Sequence, residues 1–138
     1  MKIDHICFAV SNLNEGIAYW KDVFGYRQMT EIVENSLQNV IVVFMCKDDS
    51  ITVKLIEPLT SNQSLLNYVS RGGGFHHLCF RCSDIDQQIT DLKEKGLLML
   101  AEPAGGEAFN NKPIAFMLAK YRITVELIDT DEKAGVIE

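Results

Sequence analysis

Four side chains able to do chemistry stand in the middle of strand-like runs, where polar groups are costly to bury. His5 lies in Ile3-Asp4-His5-Ile6-Cys7-Phe8 and His77 in Phe75-His76-His77-Leu78-Cys79-Phe80. Lys54 lies in Thr52-Val53-Lys54-Leu55-Ile56 and Glu126 in Thr124-Val125-Glu126-Leu127-Ile128. Side chains alternate faces along a strand, so each of these polar groups shares its face with apolar or small neighbours. A buried charge needs a partner, and the four are therefore candidates for a single polar cluster. Two imidazoles and a carboxylate can carry protons or hold a metal ion. A protonated lysine has three donors and no lone pair, so Lys54 can stabilise negative charge but cannot ligate a metal.

The remaining reactive residues invite simpler readings. Cys79 and Cys82 spell C-x-x-C, but positions three apart on a strand face opposite ways. With Cys7 and Cys46 they are read as reduced thiols. His76 is expected on the face opposite His77, packed or solvated, and Glu57 on the face opposite Lys54. Met45 and Met117 are read as core or cleft lining. Gly72-Gly73-Gly74 lacks the strand-then-helix setting of a phosphate loop and is read as a flexible connector.

The elements that must position these groups are repeated. His5-Ile6-Cys7-Phe8 recurs as His77-Leu78-Cys79-Phe80, Phe44-Met45 as Phe116-Met117, and Ile51 to Ile56 as Ile123 to Ile128, all at an offset of 72 residues. A shared register over three separated segments predicts two copies of one supersecondary unit. Each copy opens with a strand, about Lys2 to Val10 and Phe75 to Cys82. A helix follows, with Asn12 and Glu15 or Asp84 and Gln87 spaced as a capping box. Leu13, Ile17, Trp20 and Phe24 match Ile85, Ile89 and Leu92 as one apolar helical face. Gly25 and Gly96 are the expected stops.

Three strands complete each copy, near Tyr26 to Val33, Asn39 to Cys46 and Ile51 to Glu57, then near Leu97 to Glu102, Pro113 to Leu118 and Ile123 to Asp129. The fold class expected is α+β, with two tandem βαβββ modules forming a curved sheet around a cleft. Their boundaries are residues 1–58 and 75–130. Residues 59–74 form a connecting helix and glycine linker, and residues 131–138 a loose polar tail. By the repeat, His5 pairs with His77 and Lys54 with Glu126.

A net charge of −6 with scattered basic residues argues against a nucleic-acid footprint. No apolar run approaches a membrane span, and no signal peptide is visible; a cytoplasmic protein with no membrane partner is expected.

The sequence resembles the vicinal oxygen chelate superfamily, which includes glyoxalase I, extradiol dioxygenases, bleomycin resistance proteins and methylmalonyl-CoA epimerase. The epimerase branch is matched by Ile3-Asp4-His5, Asp22-Val23-Phe24-Gly25, Ile56-Glu57-Pro58-Leu59, Gly74-Phe75-His76-His77 and Asp91 to Gly96. The resemblance implies a homodimer, a small carbonyl or acyl-CoA-like substrate, and proton abstraction next to a carbonyl with enolate stabilisation in the cleft. It implies a metal set from which His5, His77 and Glu126 are present, while Lys54 stands at the fourth ligand position. Two consequences are open: a divalent ion (Zn, Ni, Co or Fe) held weakly by three ligands, or no metal, with the Lys54 ammonium in its place. The second is favoured, making Glu126 and Lys54 the catalytic candidates. Some epimerases carry a second acid on the middle strand, where this chain has Val42. The hairpin tip Lys120-Tyr121-Arg122 is shorter than that branch leads one to expect. The alternative function is a metal-free binding protein of the resistance or sequestration type.

Overall fold

Alternating strand patterns with one apolar face each, capped by amphipathic helices, assemble in the computed structural model into an α+β fold, described for residues 1–137. The chain runs β1 (Lys2–Ala9), α1 (Leu13–Phe24), β2 (Arg27–Gln28), β3 (Val33–Asn35), β4 (Val40–Cys46), β5 (Thr52–Pro58) and α2 (Gln63–Ser70). It continues through β6 (Gly74–Arg81), α3 (Ile85–Glu94), β7 (Leu98–Gly106), β8 (Lys112–Leu118) and β9 (Thr124–Ile128). The nine strands form one curved sheet in the order β2-β4-β5-β1-β6-β9-β8-β7, with β3 also paired to β4. The two opening strands, β1 and β6, lie antiparallel at its centre, and each runs parallel to the last strand of its own repeat. That topology sets His5, Lys54, His77 and Glu126 on four adjacent central strands.

The helices start where side chains can satisfy their first amides: the Glu15 amide donates to Asn12 Oδ1 at 2.9 Å and the Gln87 amide to Asp84 Oδ1 at 3.1 Å. The side-chain amide of Gln87 donates instead to Asp91. Leu13 and Ile17 pack with Val43, Met45, Val53 and Leu55 on one face of the sheet. Ile85, Ile89 and Leu92 pack with Ala115, Met117, Val125 and Leu127 in the equivalent place. Both Met45 and Met117 thus lie under helices rather than in the hollow. The hollow face carries a separate cluster that includes Cys7, Val42, Phe44, Ile56, Cys79 and Phe109.

Four expectations are corrected by local geometry. The strand expected over Tyr26 to Val33 divides into β2 and β3, both antiparallel to β4. The strand expected to end near Glu102 runs on to Gly106 through register shifts that accommodate Pro103. A single turn of 3₁₀ helix, Glu107–Phe109, then plants the fully buried Phe109 in the hollow. The glycine connector is fixed rather than loose: Gly73 donates to Tyr68 O at 3.0 Å, and Gly74 already belongs to β6. The C-terminal segment is also held, since Ala134 donates to Ala108 O and Ile137 to Met29 O, while Gly135 O accepts from Glu31. The turn before β9 keeps Tyr121 and Arg122 at φ of 61° and 60°.

A Cβ on Gly73 would lie 2.5 Å from Ala9 O, and its φ is +62°. Gly73→Ala should therefore destabilise the protein by about 1–3 kcal/mol in urea denaturation. Gly72→Ala, with φ at +114° but nothing within 4 Å of the added atom, should cost the backbone strain without the clash.

Candidate functional site

The central strands bring all four expected residues together. Glu126 on β9 is fully buried, and its Oε1 lies 3.1 Å from His5 Nε2 and 3.0 Å from His77 Nε2. Lys54 Nζ is 3.4 Å and 3.5 Å from the two carboxylate oxygens. Glu57, as expected, points away, its Oε1 accepting the first amide of α1 from Leu13 at 2.7 Å. Cys79 belongs to the hollow-face core and Cys82 packs under α3, so the C-x-x-C pair is split across the sheet.

Two β-bulges give each histidine a second partner. Along β1–β6, Ile3 pairs with Phe80 but His5 with Cys79, leaving Asp4 as an extra residue. Cys7 pairs with His77 but Phe8 with Phe75, leaving His76 as the other. A bulge re-aims the side chain it carries. Asp4 Oδ2 is thereby brought within 2.7 Å of His5 Nδ1, and His76 Nδ1 within 2.7 Å of His77 Nδ1. This corrects the expectation that His76 faces away from the site: plain alternation fails at a bulge. Asp4 in turn meets Lys133 Nζ at 3.1 Å and Arg81 Nη1 at 3.7 Å. The sequence reading missed Asp4, His76 and Lys133. The signal for the first two was their own equivalence, each standing just before a repeat-matched histidine; Lys133 has no counterpart in the repeat.

The charge states follow from the surroundings. Burial alone would raise the Glu126 pKa, but Lys54 and the hydrogen bonds from His5 and His77 hold it well below the usual carboxylate range. Burial would lower Lys54, but Glu126 outweighs it and the ammonium is kept. Burial pushes His77 down to about 3 against the opposing pull of Glu126, so its imidazole is neutral at physiological pH. Neutral His77 donates from Nε2 to Glu126, leaving Nδ1 to accept from His76. Asp4, although penalised by burial, is lowered overall by its bond to His5 and by Lys133. Two buried carboxylates thus face two buried ammonium groups, with His5 between the pairs.

His5, His77 and Glu126 present ligand atoms within 4.8 Å of one another, and two imidazoles with one carboxylate suit zinc, nickel or iron. The ammonium of Lys54 does not suit it. A unit charge about 4 Å from a divalent ion would oppose binding by several kcal/mol even at an effective dielectric near 20. Two neighbouring clusters, Cys7–His76–His77 and Asp4–His5–Cys79, also bring ligand atoms within 4.8 Å of one another. Burial pushes the Cys7 thiol up to about 12 and the Cys79 thiol well above its usual value, so both are neutral in the metal-free site, and both lie in the field of the same Lys54 ammonium. As the residues stand, with the Lys54 ammonium against Glu126, the His5–His77–Glu126 set does not fit a divalent metal.

A pocket of about 650 Å³ is walled by Lys54, His76 and His77 at its base and by Val40, Ile56, Leu65, Ile114 and Phe116 along its sides. Asn35, Gln38, Asn62 and Ser64 also line it, as does Arg122. Phe109 stacks on the other imidazole, His5, with centroids 6.1 Å apart. Among the described residues no helix is long and apolar enough to cross a membrane.

The family model described as the Glyoxalase/Bleomycin resistance protein/Dioxygenase superfamily matches residues 4–116. The chain is 30% identical to the mitochondrial methylmalonyl-CoA epimerase of Bos taurus over 84% of its own length and 66% of that protein's. It is 26% identical to the Dictyostelium discoideum epimerase, covering 96% of this chain and 78% of the relative. The crystal structure of methylmalonyl-CoA epimerase from Mycobacterium tuberculosis superposes with a TM-score of 0.80 at 26% identity, covering 93% of this chain and 87% of that one.

Two outcomes check this electrostatic arrangement. His77 and Glu126 both have native pKa values below their unfolded ones, so the native state binds fewer protons and stability falls with acidity. For His77 the loss begins below its ordinary 6.5 and continues towards about 3; Glu126 adds to it below 4.5. Urea denaturation between pH 6.5 and 4.5 should show a loss of up to about 1.4 kcal/mol per pH unit from His77, on top of a loss of the same sign from His76, whose pKa burial also lowers; a folded His77→Gln variant should keep only the His76 part. Lys54→Glu should raise zinc affinity about tenfold or more by supplying a fourth ligand; a titration showing no gain would place Lys54 away from the ligand position.

Proposed function

The chain belongs to the glyoxalase/bleomycin resistance protein/dioxygenase superfamily, and from that premise we propose that it is a metal-independent epimerase-type enzyme acting on an acyl thioester. The observation that carries the reading is the loose contact between Lys54 and Glu126 beneath the pocket. At 3.4 Å and 3.5 Å the ammonium is not locked to the carboxylate, and Lys54 itself lines the pocket. A thioester oxygen placed on Lys54 would find a preorganised cation where negative charge develops, in a site shielded from water. As the ammonium turns to that oxygen, its hold on Glu126 weakens and the carboxylate becomes a better base. Turning Lys54 also has to open the wall that separates Glu126 from the pocket; Glu126 then takes the α-proton while the enolate forms on Lys54, and the net charge of the cluster with its substrate is unchanged.

Epimerisation also needs a proton returned to the opposite face of the carbon. Val42 stands where some family members have a second acid. The His76–His77 pair is the proton carrier that borders the pocket, with Nδ1 atoms 2.7 Å apart. The side-chain amide of Gln38, which lines the pocket, suits the hydrogen-bonding arm of a thioester carrier. Gln38 Oε1 has no partner among the described residues. One methylmalonyl-CoA epimerase structure, 24% identical to this chain with a TM-score of 0.80, holds methylmalonyl-CoA and NH4+; here Lys54 brings an ammonium of its own. A homodimer remains part of this proposal through the resemblance, and a cytoplasmic setting remains proposed from the sequence alone.

The second reading, sequestration of a small molecule without chemistry, draws support from Glu126 being fully buried behind the pocket wall. Solvent-deuterium exchange separates the two. Metal-stripped protein should exchange the α-proton of methylmalonyl thioesters. Glu126→Gln should slow that exchange about 100-fold or more, and Lys54→Met comparably. Absence of exchange with every acyl thioester, alongside tight binding of one of them, would favour sequestration.

A further inference from the structure

The C-terminal segment was expected to be loose, yet it carries a buried cation to the back of the site. Lys133 is 9% exposed. Its Nζ lies 3.1 Å from Asp4 Oδ2 and 3.3 Å from Oδ1, with both side chains 5% exposed. The other cation near Asp4, Arg81, is farther away at 3.7 Å and more than a third exposed, where an ion pair contributes little. The segment is pinned just after Lys133, through Ala134 to the turn bearing Phe109 and through Gly135 and Ile137 to residues 29–31.

The same two aromatic rings hold Lys133 and His5. The ammonium lies 5.2 Å from the Phe44 centroid and 5.7 Å from that of Phe109. The His5 ring meets Phe44 edge-on at 5.2 Å and stacks on Phe109. A buried ion pair is often no more stabilising than well-packed hydrophobic residues, so stability alone does not call for the Asp4–Lys133 pair in this position. None of Lys133, Asp4 and His5 lines the pocket, and Lys133 lies outside the residues matched by the family.

We propose that residues 132–137 are a strap across the hollow face and that Lys133 is a positioning residue: acting through Asp4, it fixes the His5 imidazole so that Nε2 is presented to Glu126. The strap has no equivalent behind His77, whose Nδ1 is met by His76 at the pocket. The two matched imidazoles are thereby given different tasks, one sealed and held, the other open to a ligand.

The test uses the full chain and two independent readouts, of which only the kinetic one rests on the epimerase reading. Nitrogen-15 NMR of the imidazoles reports the hydrogen-bonding state of His5. In Lys133→Met the His5 signals should shift or split, and kcat for deuterium exchange should fall about 10- to 100-fold, with KM changed less than about twofold because the pocket wall is intact. Lys133→Arg should restore both. Adding Asp4→Asn to Lys133→Met should cost no more than either change alone, because they interrupt the same chain of contacts. A folded Lys133→Met protein with unaltered His5 signals and kcat overturns the proposal. If Lys133→Met does not fold, Asp4→Asn, which keeps the aromatic contacts of Lys133, is read in the same two ways. If the wild type exchanges no thioester, the epimerase reading fails and the His5 signals alone decide on the strap.

Discussion

Everything at the centre of this molecule is arranged around one carboxylate that water does not reach. Ionised Glu126 in an apolar core would be prohibitively unfavourable by itself. It is tolerated because two imidazoles and an ammonium, from three other strands, surround it at hydrogen-bonding or near-hydrogen-bonding distance. Those four strands are neighbours only because β1 and β6 pair antiparallel and each pairs parallel with the end of its own repeat. The sheet order and the ionisation of Glu126 are therefore one constraint. A different strand order would scatter the partners, and a neutral residue at 126 would leave Lys54 as an unpaired buried cation.

The repeat supplies geometry, and departures from the repeat supply chemistry. Positions 54 and 126 are equivalent in the fold but hold opposite charges, so they attract rather than jointly claim a metal. Positions 4 and 76 are equivalent bulge residues, but one is an acid backed by Lys133 and the other an imidazole at the pocket. The two differences break the symmetry in opposite senses: of the first pair Lys54 lines the pocket and Glu126 is sealed behind it, and of the second His76 lines the pocket and Asp4 does not. The buried charges also balance, Lys54 against Glu126 and Lys133 against Asp4.

How much of this was legible in the sequence depended on whether the determining interaction was local. The repeat register gave the pairing of His5 with His77 and of Lys54 with Glu126, because strand alternation and a constant offset are enough to relate residues far apart in the chain. The caps at Asn12 and Asp84 were legible for the same reason. Bulges were not: one inserted residue leaves no periodic trace, so Asp4 and His76 were placed by an alternation that the backbone abandons at those two points. Lys133 was illegible because its partner is 129 residues away and its own segment is polar. The glycine linker looked flexible because its close approach to Ala9 belongs to the tertiary fold.

An ammonium and a divalent ion are not interchangeable at the base of such a pocket, and the difference bears on what reaction the site can run. A metal would fix the substrate oxygen by coordination and hold it through the reaction. Lys54 carries a single charge on a flexible stem, and in the resting protein that charge is already engaged by Glu126. Substrate binding in the proposed reaction must therefore draw the ammonium partly away from the carboxylate. That transfer ties the strength of the base to occupancy of the pocket: Glu126 is held far below its ordinary pKa when the pocket is empty and rises towards it only when an oxygen competes for Lys54. A site built in this way restrains its base in the absence of substrate, which a permanently bound metal ion would not do.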